Sequence, residues 1–229
     1  MEKDLRRILS DASITMGITL TDRELSMFSI YYHELLVWNE KINLISAKSA
    51  IDIPIKHFID SLTPLPFMMK TSATMLDIGA GAGFPGIPMK IAAPSLKVFL
   101  LESSRKKASF LKHIIRTLNL DEISVIHNRA ENIMADNAYR ERFDIVISRA
   151  AFKLPALLRI SSFFLADDGL VMAMKGKNVA DEMKDAREMS DAPGFAFMSC
   201  HDIQLPGAHD IRKIVTFKKS VKLTNKRTK

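Results

Sequence analysis

The sequence lacks the features that would place it in a membrane or outside the cell. None of its apolar runs approaches the roughly 20 residues that a helix needs to cross a bilayer. Its first residues, MEKDLRRILSD, are charged throughout, unlike a secretory signal. A single cysteine, Cys200, allows no internal disulfide, which suits a reducing compartment. We therefore expect a cytoplasmic protein without membrane contact, and we take a monomer as the expected assembly.

Several catalytic motifs are missing as well. No group of histidine, cysteine and aspartate residues has the spacing of metal ligands, so we expect no metal site. The G-x-S-x-G turn of serine hydrolases does not occur. His57, Asp60 and Ser61 stand close together, but the members of a Ser-His-Asp triad usually come from separate loops. The spacing of three between His57 and Asp60 predicts instead that they cap or brace a helix.

Acidic residues are absent from the C-terminal stretch 212–229, which contains eight lysines or arginines. The whole chain has 33 basic and 26 acidic residues, so residues 1–211 keep 25 basic and 26 acidic residues and a net charge of −1. The overall charge of +7 therefore belongs largely to the C-terminal end. We assign residues 219–229 to a basic tail. Such a tail either contacts nucleic acid phosphates or is a solvated end, and both interpretations stay open.

The N-terminal part of the chain has the periodicity of helices. Residues 1–20 place apolar side chains on one helical face. Thr21 and Glu24 match a capping box, which predicts that a second helix begins after Thr21. We assign residues 1–70 to a helical N-terminal extension that packs on the core.

Short apolar runs alternate with helical segments from residue 74 onward. The predicted strands are TMLDI, KVFLLE, ISVIH, FDIVIS, LVMAMKG, FAFMSCHDIQL and IRKIVTFKK. The segment LPALLRISSFFLADDG is predicted to be a helix closed by Gly169. Such alternation indicates an α/β fold, a mostly parallel sheet covered by helices on both faces. We assign residues 71–218 to this domain.

A glycine-rich turn, LDIGAGAGFPGIPMK at residues 76–90, follows the first predicted strand. It matches the dinucleotide-binding pattern G-x-G-x-x-G through Gly81, Gly83 and Gly86. The same letters match D-x-G-x-G-x-G, the first motif of the S-adenosylmethionine-dependent methyltransferases, from Asp77 to Gly83. In an open α/β sheet, a ligand binds at the carboxyl ends of the strands, where this turn lies.

The acid in the second pattern distinguishes the two ligands. A dinucleotide places a pyrophosphate at the N-terminus of the following helix, where Asp77 would be a poor neighbour. S-adenosylmethionine has no phosphate but has a sulfonium cation and an amino group, which a carboxylate favours. Glu102, at the end of the second strand, is placed to accept both ribose hydroxyls with either ligand. We expect Asp77, at the edge of this loop, to bind S-adenosylmethionine together with Gly79, Gly81 and Glu102, with a nicotinamide-dependent oxidoreductase as the alternative.

Longer stretches extend this interpretation. They are WNEKINLIS, HFIDSL, LDIGAGAGFPGIPMKI, LLESSRKKASFL, NRAENI, FDIVISRAAFKL and MAMKG, in this order from about residue 35 to residue 176. With them the chain resembles the bacterial small-subunit (16S) ribosomal RNA guanine-N7 methyltransferases, also called glucose-inhibited division protein B. The resemblance implies a class I, Rossmann-like methyltransferase fold with a helical N-terminal extension. It also implies S-adenosylmethionine as cofactor and 16S ribosomal RNA, in the small subunit or its precursor, as partner.

The resemblance also implies particular contacts. By motif position, the cofactor contacts fall on Gly79, Phe84, Ala130, Glu131 and Arg149. Arg149 follows the fourth strand, so its cation is expected at the carboxyl edge of the sheet. There it would brace the cofactor carboxylate, pair with an RNA phosphate or stack on a base. The alternative for Arg149 is a structural salt bridge with Asp77 or Glu102.

Methyl transfer from a sulfonium to guanine N7 is a displacement at the methyl carbon. Guanine N7 has a free in-plane lone pair, so no base is required and positioning can provide most of the rate. The N-P-P-Y segment with which amine-methylating enzymes hold an exocyclic nitrogen does not follow the fourth strand. We therefore predict methylation of guanine N7 in 16S ribosomal RNA, with Arg149 as the catalytic residue. A non-catalytic RNA-binding protein remains the second alternative.

Overall fold

The computed structural model describes residues 2–46, 53–68, 70, 72–190, 194–207 and 211–220, apart from the side chains of residues 2 and 187–190. The chain begins with helices α1 (Glu2–Thr15) and α2 (Asp22–Ile42). A π-helix (Pro54–Ile59) leads into the short helix α3 (Asp60–Leu62), and a 3₁₀ turn (Leu65–Phe67) follows. No helix in the described part of the chain is long and apolar enough to span a membrane.

Helix α2 begins where the capping box predicts. Thr21 Oγ1 accepts from the backbone N–H of Glu24 at 3.3 Å, and the Glu24 carboxylate accepts from the N–H of Thr21 at 2.6 Å. Helix α1 ends five residues before the predicted position, at Thr15. Gly17 adopts the left-handed conformation, with φ of +72°, and this ends the helix because the next backbone groups turn away from its axis.

Within the described residues, seven strands form one sheet, in the order β3-β2-β1-β4-β5-β7-β6. They are β1 (Thr74–Ile78), β2 (Lys97–Glu102), β3 (Ile123–His127), β4 (Phe143–Arg149), β5 (Leu165–Gly176), β6 (Phe195–Gln204) and β7 (Ile211–Lys219). Strands β1 to β5 run parallel, and β7 runs antiparallel between β5 and β6. The predicted, mostly parallel α/β sheet is confirmed.

Helices cover both faces of the sheet. They are α4 (Gly86–Ala92), α5 (Arg105–Thr117), α6 (Ala130–Ile133), α7 (Leu154–Phe164) and α8 (Ala180–Ser190). Because side chains alternate along a strand, Met75 of β1 packs in the layer with α2, α4 and α5, whereas Leu76 packs with α6, α7 and α8. The N-terminal helices therefore share a hydrophobic core with the sheet. The domain boundary between residues 70 and 71 stays a prediction.

The prediction that the helix after β4 extends to Gly169 is wrong, because the helix is shorter. Helix α7 ends at Phe164, and the chain enters β5 at Leu165, which pairs with Phe143 of β4. The register of this pairing shifts between Phe143 and Ile145, and Asp168 adopts a positive φ of 63°. Sheet pairing has thus overridden the helical pattern of the segment before Gly169.

Lys219 was predicted to belong to the basic tail, but it is the last residue of β7 and is buried. Its ammonium donates to the carbonyl oxygens of Ser162, at 3.0 Å, and Leu165, and lies 3.5 Å from the Glu141 carboxylate. Lys219 therefore joins β7 to the end of α7. The other basic residues assigned to the tail, Lys222, Lys226, Arg227 and Lys229, lie outside the described residues.

Replacement of Lys219 by alanine tests this assignment. Lys219→Ala removes the ammonium that donates to the carbonyl groups of Ser162 and Leu165, so the free energy of unfolding should fall by about 1–3 kcal/mol. The matched control is Lys218→Ala, because Lys218 is more exposed and forms a surface ion pair with Asp168. Its loss should cost about 0–1 kcal/mol. Urea denaturation followed by circular dichroism measures the free energy of unfolding of both variants. An equally small decrease in both would contradict the structural role of Lys219.

Candidate active site

Four parallel strands end side by side along one edge of the sheet. In the order β3, β2, β1 and β4, their last residues are His127, Glu102, Ile78 and Arg149. The strand order reverses between β1 and β4, because the chain passes from β1 to β2 and β3 on one side and then crosses to β4 on the other side. Open α/β sheets bind their ligands at this position. Two clefts open along this edge.

The first, which we call the glycine-loop cleft, has a volume of about 240 Å³. Its lining residues follow β1, β2 and β3 and come also from the segment after β4: Ile78, Gly79, Leu101, Ser103, Asn128, Arg129, Ala130, Glu131 and Phe152. The structure thus brings together three residues that the sequence predicted for the cofactor, Gly79, Ala130 and Glu131. Glu131 is exposed in the first turn of α6, whereas Ala130 is buried.

The loop between β1 and α4 needs glycine at positions where other atoms come close. Gly79 adopts φ of +78°, and a Cβ there would lie 2.7 Å from Cβ of Ala151. Gly83 adopts φ of +95°, and a Cβ there would lie 2.8 Å from the hydroxyl of Tyr31. At both positions, the left-handed backbone and the nearby atoms exclude a larger residue unless the surrounding structure rearranges. The glycines therefore let α2 and the segment after β4 pack directly against the loop.

Glu102 ties this loop to the end of β2. One carboxylate oxygen accepts from the N–H of Gly81 at 2.8 Å, and the other accepts from the N–H of Ser104 at 2.7 Å. Glu102 is largely buried. Each carboxylate oxygen has a second lone pair, so the side chain retains acceptor capacity for ligand hydroxyls.

The motif predicted Asp77 at the edge of the loop, and this prediction is wrong. Asp77 is fully buried in β1, beneath the loop. Its Oδ2 accepts from the N–H of Gly86 at 2.9 Å. Within the described residues, Oδ1 has no hydrogen-bond partner. Burial raises the pKa of Asp77 to about 7, opposed by the Gly86 hydrogen bond and the Arg149 cation. The sequence motif contains no signal for this burial, which arises when the loop folds back over the strand.

The second cleft, which we call the basic cleft, has a volume of about 530 Å³. It opens where β4 and β5 end and β7 begins. Its lining residues are Ser46, Lys56, His57, Asp60, Arg149, Ala150, Met174, Lys175, Gly176 and Arg212. Four of these side chains are basic and one is acidic, so the cleft favours an anionic ligand.

Arg149 lies in the basic cleft with 19% of its side chain exposed. Its Nη1 donates to Asp60 Oδ2 at 3.2 Å and to the carbonyl of Lys56 at 3.3 Å. Its Nη2 lies 3.1 Å from Nδ1 of His57. A guanidinium only donates, so His57 Nδ1 accepts, and the neutral imidazole carries its proton on Nε2. The expected position of Arg149 at the sheet edge is confirmed, but its acidic partner is Asp60 rather than Asp77 or Glu102.

Burial affects both members of this ion pair. It raises the pKa of Asp60, an effect that the cations of Arg149 and Arg212 oppose. It also lowers the pKa of Arg149, and Asp60 is the main group that opposes this shift. Each charge therefore stabilises the ionised form of the other in a largely dry environment.

Phe84 joins the loop to the basic cleft through its side chain. Its ring is buried and stacks on the His57 ring at 5.1 Å between centroids. The Arg149 guanidinium carbon lies 4.8 Å from the centre of the same ring, and the Tyr31 ring stacks on it at 5.6 Å. Because the Phe84 ring is buried among Tyr31, His57 and Arg149, a cofactor contact at this position would use the backbone of Phe84.

Sequence reasoning missed part of the site. His57 and Asp60 were predicted only to cap or brace a helix, whereas both bind Arg149. Lys175 and Arg212 were not singled out at all, yet both line the basic cleft. The available signal was the HFIDSL stretch, where a histidine and an aspartate share one helical face three residues apart. Nothing local indicated that β7 would bring Arg212 to the same place.

Solved structures share this architecture at low sequence identity. A putative O-methyltransferase from Klebsiella pneumoniae has a TM-score of 0.58 and 14% identity, covering 83% of this chain and 90% of that chain. M. jannaschii TYW2, solved in complex with AdoMet (S-adenosylmethionine), has a TM-score of 0.52 and 17% identity, covering 70% of this chain and 74% of that chain. At these identities the likeness concerns the fold. The chain has the class I methyltransferase fold, with helices added at its N-terminus, as predicted.

Sequence comparison defines the family within that class. The family model described as GidB, rRNA small subunit methyltransferase G, matches residues 24–207. The protein named ribosomal RNA small subunit methyltransferase G of Syntrophus aciditrophicus (strain SB) is 43% identical over 219 residues, 95% of this chain and 91% of that protein. The chain therefore belongs to the GidB family, rRNA small subunit methyltransferase G, and the resemblance inferred from its motifs is confirmed.

The buried carboxyl of Asp77 generates a prediction for stability. Its pKa is about 7 in the folded chain, against an ordinary value of 3.8. The folded chain therefore holds this proton at a pH where the unfolded chain has released it, so Asp77 lowers stability as pH rises from about 4 to about 7. Asp77→Asn mimics the protonated form and still accepts from Gly86. It should be more stable than the wild type at pH 8, with a difference that shrinks towards pH 5.

Urea denaturation of the ligand-free protein at pH 5 and pH 8 measures this difference. Asp144→Asn is the control, because Asp144 is a half-buried strand carboxylate that also accepts a backbone N–H, that of Thr74 at 2.8 Å. The control accounts for the loss of an acid from the sheet. A stability difference for Asp77→Asn that does not change between the two pH values would contradict the account of Asp77.

Proposed function

We propose that this protein transfers a methyl group from S-adenosylmethionine to N7 of a guanine in 16S ribosomal RNA. The observation that carries the proposal is the family match over residues 24–207, which includes the glycine loop, Ala130, Glu131 and Arg149. The Syntrophus relative is named for methylation of small-subunit ribosomal RNA. The choice of guanine N7 rests on the resemblance and on the chemistry of the site.

The glycine-loop cleft suits S-adenosylmethionine. The cofactor supplies an electrophilic methyl group on a sulfonium cation. Gly79 leaves room for a ligand at the end of β1, because its backbone lines the cleft without a side chain. Asp77 places a buried carboxyl with an unpartnered oxygen beneath the loop, which favours a cationic ligand. The AdoMet complex of TYW2, which has the same fold, supports this assignment.

The remaining cofactor contacts follow from the same cleft. We assign Glu102 to the ribose hydroxyls, because its oxygens have lone pairs beyond those used by Gly81 and Ser104. We assign Ala130 and Glu131 to the adenine. A backbone N–H at Ala130 would read a ring nitrogen, and the exposed Glu131 carboxylate would accept from the exocyclic amine. Gly81 and Phe84 contribute backbone, since the Phe84 ring is packed inside the protein.

Arg149 is suited to positioning the guanine rather than to removing a proton from it. A guanidinium stays protonated and cannot act as a base, and an N7 acceptor needs none. Guanine presents O6 and N7 as acceptors on one edge. Arg149 contacts three groups through its two Nη atoms, and a guanidinium has five N–H donors. We assign Arg149 to O6, which leaves the N7 lone pair free for the methyl group.

Two alternative functions fit the site less well. A nicotinamide-dependent oxidoreductase would place a pyrophosphate over the buried carboxyl of Asp77, and the family to which the chain belongs is one of methyltransferases. A non-catalytic RNA-binding protein would have no use for a glycine loop that is held by Glu102 and packed against Tyr31. Methyl transfer accounts for both features. We propose that the protein acts as a monomer in the cytoplasm, where the small subunit or its precursor is available.

Loss of one modified nucleotide tests this proposal. Small-subunit RNA from a strain lacking the gene should lack one N7-methylguanosine that is present in the parent strain, and the wild-type gene on a plasmid should restore it. Mass spectrometry of nuclease fragments measures the modification. Identical N7-methylguanosine content in both strains would falsify the guanine-N7 assignment. Loss of a different methylated nucleotide would retain ribosomal RNA methylation but reject N7 as its target.

A further inference from the structure

Two arginines from distant parts of the chain meet in the basic cleft. Arg149 ends β4, and Arg212 stands at the start of β7. Because β7 runs antiparallel to β5 and pairs Arg212 with Gly176, its first residues lie at the edge where β4 and β5 end. Arg212 also lies outside residues 24–207, so the family match does not account for it.

A single carboxylate connects these two cations. Asp60 Oδ2 accepts from Arg149 at 3.2 Å, and Oδ1 lies 3.4 Å from Nε of Arg212. The second contact is an ion pair without the alignment of a hydrogen bond, since Oδ1 has no hydrogen-bond partner within the described residues. Only 5% of the Asp60 side chain is exposed. One negative charge thus holds two guanidiniums, and the group keeps a net positive charge.

The two guanidiniums differ in accessibility. Arg149 is enclosed by His57, Phe84 and Asp60, with a smaller exposed fraction than Arg212, of which 28% is exposed. Arg212 is therefore the more available of the two for a ligand that enters from solvent. Lys175 adds a further cation to the cleft, and its position is held by Glu182 at 2.7 Å.

We propose that the basic cleft binds a phosphodiester of the RNA next to the target nucleotide, with Arg212 as its phosphate ligand and Asp60 as the residue that positions both arginines. This inference rests on the proposed function. A guanidinium binds phosphate oxygens through paired N–H groups, which a point charge does not do. The cleft volume lies within the range of about 300–1,000 Å³ typical of small-ligand sites, so it accommodates a nucleotide rather than a duplex.

The different positions of Arg149 and Arg212 give them different roles in this proposal. Arg149 faces the glycine loop through Phe84, so it acts on the base that receives the methyl group. Arg212 is farther along the edge, over β7, so it acts on the backbone that follows the base. Asp60 touches both, so its loss should disturb base and backbone contacts together. This gives different kinetic expectations for Arg212 and Asp60.

The test uses small ribosomal subunits from a strain lacking the gene as methyl acceptor. Single-turnover methyl transfer is measured over a range of subunit concentrations and salt concentrations. Arg212→Gln should raise the half-saturating subunit concentration about tenfold, as expected for loss of an interaction of about 1.4 kcal/mol. The slope of log affinity against log salt should decrease by about 0.7, the value for one contact to single-stranded phosphate. The maximal rate and S-adenosylmethionine affinity should stay near those of the wild type.

Lys218→Gln is the matched control. It removes one positive charge from the same strand, but Lys218 lies at the opposite end of β7 and pairs with Asp168 at 2.8 Å. It should leave both the half-saturating concentration and the salt slope unchanged. Equal behaviour of Arg212→Gln and the wild type would overturn the inference, and so would an equal loss in both variants, which would indicate a nonspecific effect of charge.

Asp60→Asn tests the positioning role separately. Because it releases both arginines, it should lower the maximal rate and raise the half-saturating concentration together, in a protein that still binds S-adenosylmethionine. An Asp60→Asn protein that folds and shows neither change would reject the role of Asp60. If this variant does not fold, the result for Arg212→Gln still decides the phosphate assignment.

These outcomes separate the inference from the function on which it rests. If the wild-type protein transfers no methyl group to the subunits, the proposed function fails. If the wild type is active and Arg212→Gln matches it, only the phosphate site fails. If Arg212→Gln weakens S-adenosylmethionine binding instead, calorimetry will show that the cleft holds the cofactor carboxylate, which overturns the assignment to RNA.

Discussion

The ring of Phe84 connects the two halves of the candidate site. It belongs to the glycine loop, yet it is buried against Tyr31 of α2, His57 of the π-helix and the guanidinium of Arg149. Aromatic pairs contribute about 0.5–1.5 kcal/mol beyond their buried area, and a desolvated cation over a ring contributes about 2 kcal/mol. The Phe84 ring therefore links the glycine loop to the N-terminal helices and to Arg149. Loss of this ring is expected to reach both clefts.

The N-terminal helices make direct contacts with the candidate site. The Tyr31 hydroxyl donates to the carbonyl of Ala82 in the glycine loop, and burial raises the pKa of Tyr31 well above its usual value, so the hydroxyl stays protonated as a donor. The π-helix supplies His57, and α3 begins with Asp60. The sheet thus provides Arg149 and the glycine loop, while the helices before it orient both. Methyl donor and acceptor would meet at the contact between these two parts.

Local patterns predicted much of the fold, and long-range contacts account for what they missed. The capping box at Thr21 and the alternation of strands and helices depend on neighbouring residues, so they were readable from the sequence. The end of α7 was misplaced because Leu165 pairs with Phe143, some twenty residues earlier in the chain. Asp77 was expected at the loop edge because the motif records spacing and not the fold of the loop over the strand. The basic cleft combines Asp60, Arg149 and Arg212, which only the complete sheet topology brings together.

The central claim is that Arg149 positions the acceptor beside the cofactor cleft, and single-turnover methyl transfer by Arg149→Lys tests it most directly. Lysine keeps a positive charge for Asp60, which preserves folding, but it lacks the planar group that contacts His57 and stacks over Phe84. With small ribosomal subunits as acceptor, we predict a rate lower by roughly 10²–10³-fold, the usual effect of removing one catalytic hydrogen-bond donor. The affinity for S-adenosylmethionine, measured by calorimetry, should stay near that of the wild type, because Arg149 does not line the glycine-loop cleft. A rate close to that of the wild type would contradict the account and reduce Arg149 to a structural ion pair.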